Sequence, residues 1–346
     1  MATSQEIVPL ARSKAPYFFG VDVGGTNIKI GLVDDSGGTI AFQEIETHEP
    51  DGPQQAVDRI ASTCRKMIEQ TNVPRDQIVG LGLGTPGSMD IPRGVFVDPP
   101  NLPNWWHFPI RDAVRQACGL PVSFVNDANA ASFGEFWVGT GAAVESLVLL
   151  TLGTGVGGGI IVDGHLINGQ NSFGSECGHI IVDSRPDARL CVWGGGRGQL
   201  EAYASASALA QQAELQLKAG ATTSLTRLAM SGKAITAKRI YEAAEGGDAL
   251  SQRLIDECAF YLGIGITTLV HTIDPGMVVL GGAMDFGGTE SKIGRRFLDS
   301  VRAVFAERTF PHVLAGTTID FATLGGDAGY VGAAGFARKQ VLLERK

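Results

Sequence analysis

Residues 17–34 read YFFGVDVGGTNIKIGLVD, and residues 145–167 read ESLVLLTLGTGVGGGIIVDGHLI. Each stretch is an apolar run that enters a glycine turn and leaves in a second apolar run. Alternation of side chains along the runs predicts strands, and Asp35-Ser36-Gly37-Gly38 supplies the next hairpin turn, with a third strand over 39–46. Three antiparallel strands opening an α/β chain form an informative order. Its recurrence after residue 145 predicts two related α/β halves whose glycine turns meet across a cleft. The boundary is expected near 126–139.

Outward from these turns, Ala56, Ile60, Cys64, Met67 and Ile68 fall on one face of a helix over 53–70, and IVGLGLG at 78–84 is a buried strand. Residues 111–119 form a helix stopped by Gly119, and 121–129 a strand ending on polar residues. Helical periodicity covers 199–215 and 236–271, MVVLGGAM at 277–284 is a strand, and the chain closes on a helix. Residues 1–16 read as a flexible leader.

Composition bounds the function. The chain has 346 residues, 44% of them hydrophobic and 18% charged, against ~25% charged in an ordinary globular protein. Global disorder is excluded. There are 36 acids against 28 bases, a net charge of −8, which argues against a general nucleic-acid surface. The five cysteines are scattered and odd in number, unlike a secreted disulfide framework. There is no signal-peptide pattern and no long unbroken apolar run, so a cytoplasmic protein without a membrane partner is expected.

Glycine is in excess, with 47 residues, about twice average usage. A strand–glycine turn–strand aims several backbone N–H groups at one point, and such a concavity binds phosphate. The two candidates are Asp22-Val23-Gly24-Gly25-Thr26-Asn27 and the turn at Gly153-Thr154-Gly155. One such turn is as readily an ordinary hairpin; two in equivalent positions favour a ligand. Gly153, Gly155 and Gly158 also spell G-x-G-x-x-G, but a dinucleotide fingerprint requires a helix next, and Ile160-Ile161-Val162 is strand-like. An NAD-dependent enzyme is therefore the lesser reading.

The remaining chemistry sits in three places. Asn126-Asp127-Ala128-Asn129 lies at the end of a buried strand, where a helix cap is the plain alternative to a site. Glu176 and His179 lie just before the apolar run 180–183, expected as a strand, and Glu201 opens a helix, where the dipole alone could account for it.

Together DVGGTN (22–27), GLGTPG (82–87), NLPNW (101–105), VNDANAA (125–131), LTLGTGVGGG (to 159), GSECGH (174–179), QLEAYASA (199–206) and VLGGAM (279–284) resemble the ROK-family sugar kinases, and among them the bacterial ATP-dependent glucokinases. The resemblance spans roughly 17–335. It implies an α/β fold of two RNase-H-like, actin-like domains around a hinged cleft: 17–126 plus a C-terminal helix at about 327–346, and 127–326. It implies phosphorylation of D-glucose to glucose 6-phosphate with ATP and Mg²⁺, with fructose, mannose or N-acetylmannosamine as other acceptors and a sugar-responsive repressor as the non-catalytic alternative. Such repressors carry an N-terminal DNA-binding domain, for which some 16 residues before the first strand leave no room in this sequence.

Residue by residue, the resemblance gives Asp127 the role of general base and Asn126 that of a hydroxyl ligand. Glu176, His179 and Glu201 match ring-hydroxyl contacts, and Gly87 and Asn101 the sugar loops. Asp22, Gly24, Gly25, Thr26 and Asn27 match the first phosphate turn, with Asp22 near the magnesium; Thr154 and Gly155 match the second, and Gly281 and Gly282 a loop beside the nucleotide. Homodimers are common in the family, and a homodimer is expected. One departure is clear. The family's C-x-C-G-x-x-G-C-x-E zinc pattern, completed by the histidine of E-x-G-H, keeps Cys191 but has Trp193 and Gln199 at the other cysteine positions and one extra residue. No structural zinc is expected, with Cys177, His179 and Cys191 the only residual candidates.

Overall fold

A computed structural model describes residues 6–99, 101–192 and 195–344. Trp193, on which part of the zinc expectation rests, lies outside the described residues. The first lobe contains β1 (Tyr17–Val23), β2 (Asn27–Val33), β3 (Thr39–Glu46), α1 (Pro53–Thr71), β4 (Ile78–Thr85), the short strands β5 (Ser88–Asp90) and β6 (Val95–Asp98), α2 (Ile110–Cys118) and β7 (Val122–Asn126). Then come α3 (Asp127–Trp137), β8 (Leu147–Leu152), β9 (Val156–Val162), β10 (His165–Leu166), α4 (Glu201–Ala204), α5 (Ala206–Lys218), α6 (Leu225–Met230), α7 (Ala237–Glu245) and α8 (Ala249–Ile273). The chain ends with β11 (Met277–Gly281), α9 (Lys292–Arg308), α10 (Pro311–Gly316), β12 (Thr318–Phe321) and α11 (Ala328–Glu344).

The two main sheets have matching orders, β3-β2-β1-β4-β7 and β10-β9-β8-β11-β12. In each, three antiparallel strands are followed by two parallel ones. The duplication read from the glycine turns is therefore a duplication of topology.

Alternation along β1 sorts its side chains between two layers. Tyr17, Phe19, Val21 and Val23 face Ile60, Cys64 and Met67 of α1 and Ile110 and Val114 of α2, whereas Phe18 faces Tyr330, Val331 and Ala334 of α11. The C-terminal helix thus returns to the first sheet. It can lie flat there because Gly20 and Gly82 leave a trough: a Cβ on either would stand 1.8 Å from a backbone carbonyl oxygen of α11. On its other side α11 packs on α3, and α3 packs on the second sheet, with Ala131 and Phe136 against Leu147, Leu149 and Val279. The far face of that sheet buries Val148, Leu150, Val278 and Leu280 against α8 and α9. By length and composition α8 is the one helix among the described residues apolar enough to cross a membrane, yet it is a core helix, with residues such as Leu262 and Ile266 wholly buried.

Several expectations shift. The helix expected over 199–215 breaks at Ser205, whose hydroxyl accepts from Ala208 N–H and caps α5. The one over 236–271 breaks at Gly246-Gly247, and Asp248 caps α8 through Ser251 N–H. Residues 180–183 form no strand; only an isolated antiparallel bridge joins Ile181 to Gln199. The strand expected to 129 ends at Asn126, where α3 begins. The leader, as far as it is described, is tied down: Val8 N–H donates to Thr39 O, Lys14 N–H to Asp34 Oδ2, and Asp35 N–H to Lys14 O.

Candidate functional site

The carboxyl ends of β1 and β7 and the start of α3 converge between the lobes. Asn126 is the N-cap of α3: its Oδ1 accepts from Ala128 N–H at 3.0 Å and Asn129 N–H at 3.3 Å. Asp127 is the first helical residue, and its Oδ1 accepts from Ala128 N–H at 2.8 Å. Capping and site readings of this motif are thus not rivals, because the cap aims Asp127 into the cleft.

Two cavities adjoin there. One, of about 430 Å³, is lined by Gly87, Asn126, Asp127, Glu176, His179 and Glu201, together with Asp98, Asn129, Ser172 and Phe173. The other, of about 270 Å³, is lined by Asp22, Lys29, Asp127, Ala128, Thr151, Gly281, Gly282, Gly325 and Gly326. Asp127 and Ala128 belong to both walls.

The carboxyls in this cleft are costly to ionise. Burial pushes Asp127 up to about 7, with the Asp22 charge the next cause and Glu176 a lesser one. Burial likewise pushes Asp22 up to about 6, partly offset by Lys29. Glu176 is raised, first by burial and then by the Glu201 charge. Both aspartates sit at helix N-termini, Asp127 on α3 and Asp22 against Gly329 in the first turn of α11. The dipoles favour the anions by ~0.3–1 kcal/mol, less than the burial term. A cation placed between these groups would offset that term, so the donor set suits a hard divalent ion bound with a polyphosphate.

Glu201 is 4% exposed and has two partners: Oε2 accepts from Val156 N–H at 2.9 Å, and Oε1 from Cys191 Sγ at 3.0 Å. It braces the second glycine turn, where a Cβ on Gly155 would lie 2.2 Å from Oε2. The dipole explanation is not needed. His179 Nδ1 lies 3.2 Å from Gln199 Oε1 and Nε2 lies 3.8 Å from Glu176 Oε2. Ser172 and Ser175, with φ of 64° and 70°, hold the segment before Glu176 in the left-handed region, a strain typical of functional loops.

Other expected site residues lie outside both cavity linings. Thr26 and Thr154 are exposed at the tips of the two turns. Gly24 N–H donates to Asn27 O, closing the first turn, and Asn101 packs against Gly25. Asn27 turns away, its Nδ2 donating to Glu44 Oε1 at 2.7 Å across the sheet. The G-x-G-x-x-G match runs into strand β9 rather than a helix, which removes the dinucleotide fingerprint. Among the described residues, no group of three or more His, Cys, Asp or Glu is arranged to hold a metal.

Lys29 and Glu135 were not singled out from the sequence, and Asn129 was read only as part of the motif around Asp127. Lys29 reaches the smaller cavity from β2, its Nζ donating to Gly326 O at 2.6 Å; its alternation phase, shared with Asn27, was the available signal. Asn129 lines the larger cavity with a buried Oδ1 that lacks a hydrogen-bond partner. Glu135, wholly buried on α3, accepts from Thr140 N–H at 2.8 Å and Leu324 N–H at 2.7 Å, fixing the loop that leads to Gly325 and Gly326.

The chain matches the model of the ROK family over residues 18–340. It is 33% identical to the glucokinase of Halalkalibacterium halodurans over 324 residues, 94% of this chain and 96% of that protein. Its fold is similar to the crystal structure of a ROK hexokinase from Thermus thermophilus, with a TM-score of 0.79 and 30% identity over 94% of this chain and 99% of that one. It is also similar to a ROK family glucokinase from Streptomyces griseus solved with glucose and AMPPNP, with a TM-score of 0.71 and 33% identity over 93% and 99% of the two chains. Regulators share the family: the xylose repressor of Caldicellulosiruptor bescii is 31% identical over 292 residues, 84% of this chain and 70% of that protein.

Proposed function

The chain belongs to the ROK family, and from that membership we propose that it transfers the γ-phosphoryl group of ATP to the 6-hydroxyl of D-glucose. The observation that carries this reading is the shared wall: one half-buried aspartate, Asp127, lines both cavities. Glucose occupies the larger cavity and the phosphates of ATP the smaller.

Asp127 accepts the proton of the sugar 6-hydroxyl as its oxygen bonds to the γ-phosphorus and the bond from that phosphorus to the ADP oxygen breaks. The proton ends on Asp127. A carboxylate raised to about 7 is well matched to that task near neutral pH. Asp22 would hold the Mg²⁺ that accompanies ATP, an ion that neutralises phosphate charge. Lys29 and the backbone N–H groups of the glycine turns add donors at the phosphates. Glu176, His179, Asn126 and Glu201 meet the ring hydroxyls, although Glu201 acts as much by bracing the turn at Gly155. Closure of the lobes excludes water, the competing acceptor.

The reading takes each lobe as RNase-H-like, with α11 assigned to the first lobe (17–126 with about 327–346) and 127–326 forming the second. It also takes the protein as a cytoplasmic homodimer. Steady-state kinetics with glucose, mannose, fructose and N-acetylmannosamine test the acceptor. Glucose is expected to have the highest kcat/KM. A better rate with fructose or N-acetylmannosamine replaces the acceptor while keeping the kinase. Sugar binding without ATP turnover for any of the four makes the protein a sensor.

A further inference from the structure

The segment after His179 is a strap. It doubles back so that Leu200 N–H donates to Ile180 O at 2.9 Å, Val182 N–H to Gly198 O at 2.8 Å, and Gly198 N–H to Arg189 O at 2.8 Å. Charged and aromatic contacts fasten it to the second lobe. Asp183 accepts from Tyr203 Oη at 2.6 Å and from Arg185 at 2.9 and 2.7 Å. Arg189 pairs with Glu257 of α8 at 2.7 Å and lies over the Tyr203 ring. Gln199 sits in the middle of this clamp, opposite Ile181, so its backbone is fixed and its amide is aimed at His179.

Metal ligation does not account for this arrangement. Cys191 Sγ donates to Glu201 Oε1, and His179 Nδ1 meets an amide oxygen. A closed zinc site takes four thiolate, imidazole or carboxylate ligands, and these donors do not fit one. A lone exposed histidine would be free to turn and to exchange tautomers.

Building on the sugar-kinase reading, we propose that Gln199 is the positioning residue for His179: its carbonyl holds the Nδ1–H, which fixes the neutral tautomer whose Nε2 lone pair faces the cavity. An amide oxygen accepts and cannot donate, so the proton must reside on Nδ1. Nε2 is then an acceptor beside the Glu176 carboxyl, and the pair receives hydrogens from neighbouring sugar hydroxyls. An orienting partner of this kind is commonly worth about 10–100-fold in a site's function when removed.

The test begins with the resting wild-type protein, free of sugar, because that measurement is independent of the activity. The ¹⁵N resonances of the His179 ring are expected to show protonation at Nδ1, and in Gln199→Ala to move toward the Nε2–H form. Gln199→Ala should raise the glucose KM by about 10-fold while changing kcat by less than about 3-fold, since hydroxyl contacts exist before and during transfer. Three results overturn the proposal: an Nε2–H ring in the wild type, a folded Gln199→Ala with unchanged ring signals and KM, or one tightly held zinc per chain by elemental analysis. Should no sugar be phosphorylated, the kinase reading falls, and the tautomer of the wild-type ring still decides the role of Gln199.

Discussion

Replacing Asp127 by Asn should stop turnover and stabilise the fold at once. A carboxyl held at about 7 in place of its ordinary 3.8 is a poor anion in this cleft. At ~1.4 kcal/mol per tenfold change in proton affinity, the ionised form costs up to ~4 kcal/mol; water in an open cleft reduces that, and we expect about 2 kcal/mol. The sign follows from linkage. With a raised native pKa, the burden of Asp127 is absent below its ordinary 3.8, grows as the pH rises from there because the unfolded carboxyl ionises first, and is complete above about 7. Asn keeps the acceptor that Ala128 N–H uses. Ligand-free urea unfolding should therefore show Asp127→Asn more stable than wild type by about 2 kcal/mol at pH 8, with the difference shrinking below pH 7 and vanishing only near pH 4. In the same preparation kcat should fall by about 10²–10⁴. A variant that is equally or less stable at pH 8, or that keeps a near-normal kcat, refutes the reasoning on the burial or the base role respectively.

Lys29→Met should raise the KM for ATP by about 10-fold with little effect on the sugar KM, measured by varying each substrate, because Lys29 lines only the smaller cavity. Gly82→Ala forces a Cβ onto the Ala333 carbonyl and should cost about 3 kcal/mol or more, read as a lowered urea midpoint and early loss of exchange protection in α11. Glu135→Leu removes the acceptor for Thr140 and Leu324 N–H and should cost about 3–5 kcal/mol by urea unfolding; a loss under 1 kcal/mol would mean those donors find other partners.

The strand–turn–strand pattern at 17–34 and 145–167 was legible because side-chain alternation and glycine turns are local. So was the constellation of Asp127, Glu176 and His179, where polar residues interrupt apolar runs. What the sequence did not show depends on distant partners. Gly20 and Gly82 look like ordinary strand glycines until α11 arrives from some 300 and 250 residues away to lie on them. The fold of Glu201 onto Val156 N–H and Cys191 Sγ joins three separate segments. Asn27 looked like a phosphate-turn residue, but strand pairing sets its partner, Glu44. The breaks at Ser205 and Asp248 were signalled by capping residues that continuous periodicity overrode.

The central claim is that Asp127 deprotonates a sugar hydroxyl for attack on ATP, and product formation tests it most directly. Wild-type protein with ATP, Mg²⁺ and glucose, followed by ³¹P NMR, should form glucose 6-phosphate mole for mole with ADP, while Asp127→Asn under the same conditions forms neither. ADP released without sugar phosphate, or equal glucose 6-phosphate from the two proteins, would contradict the account.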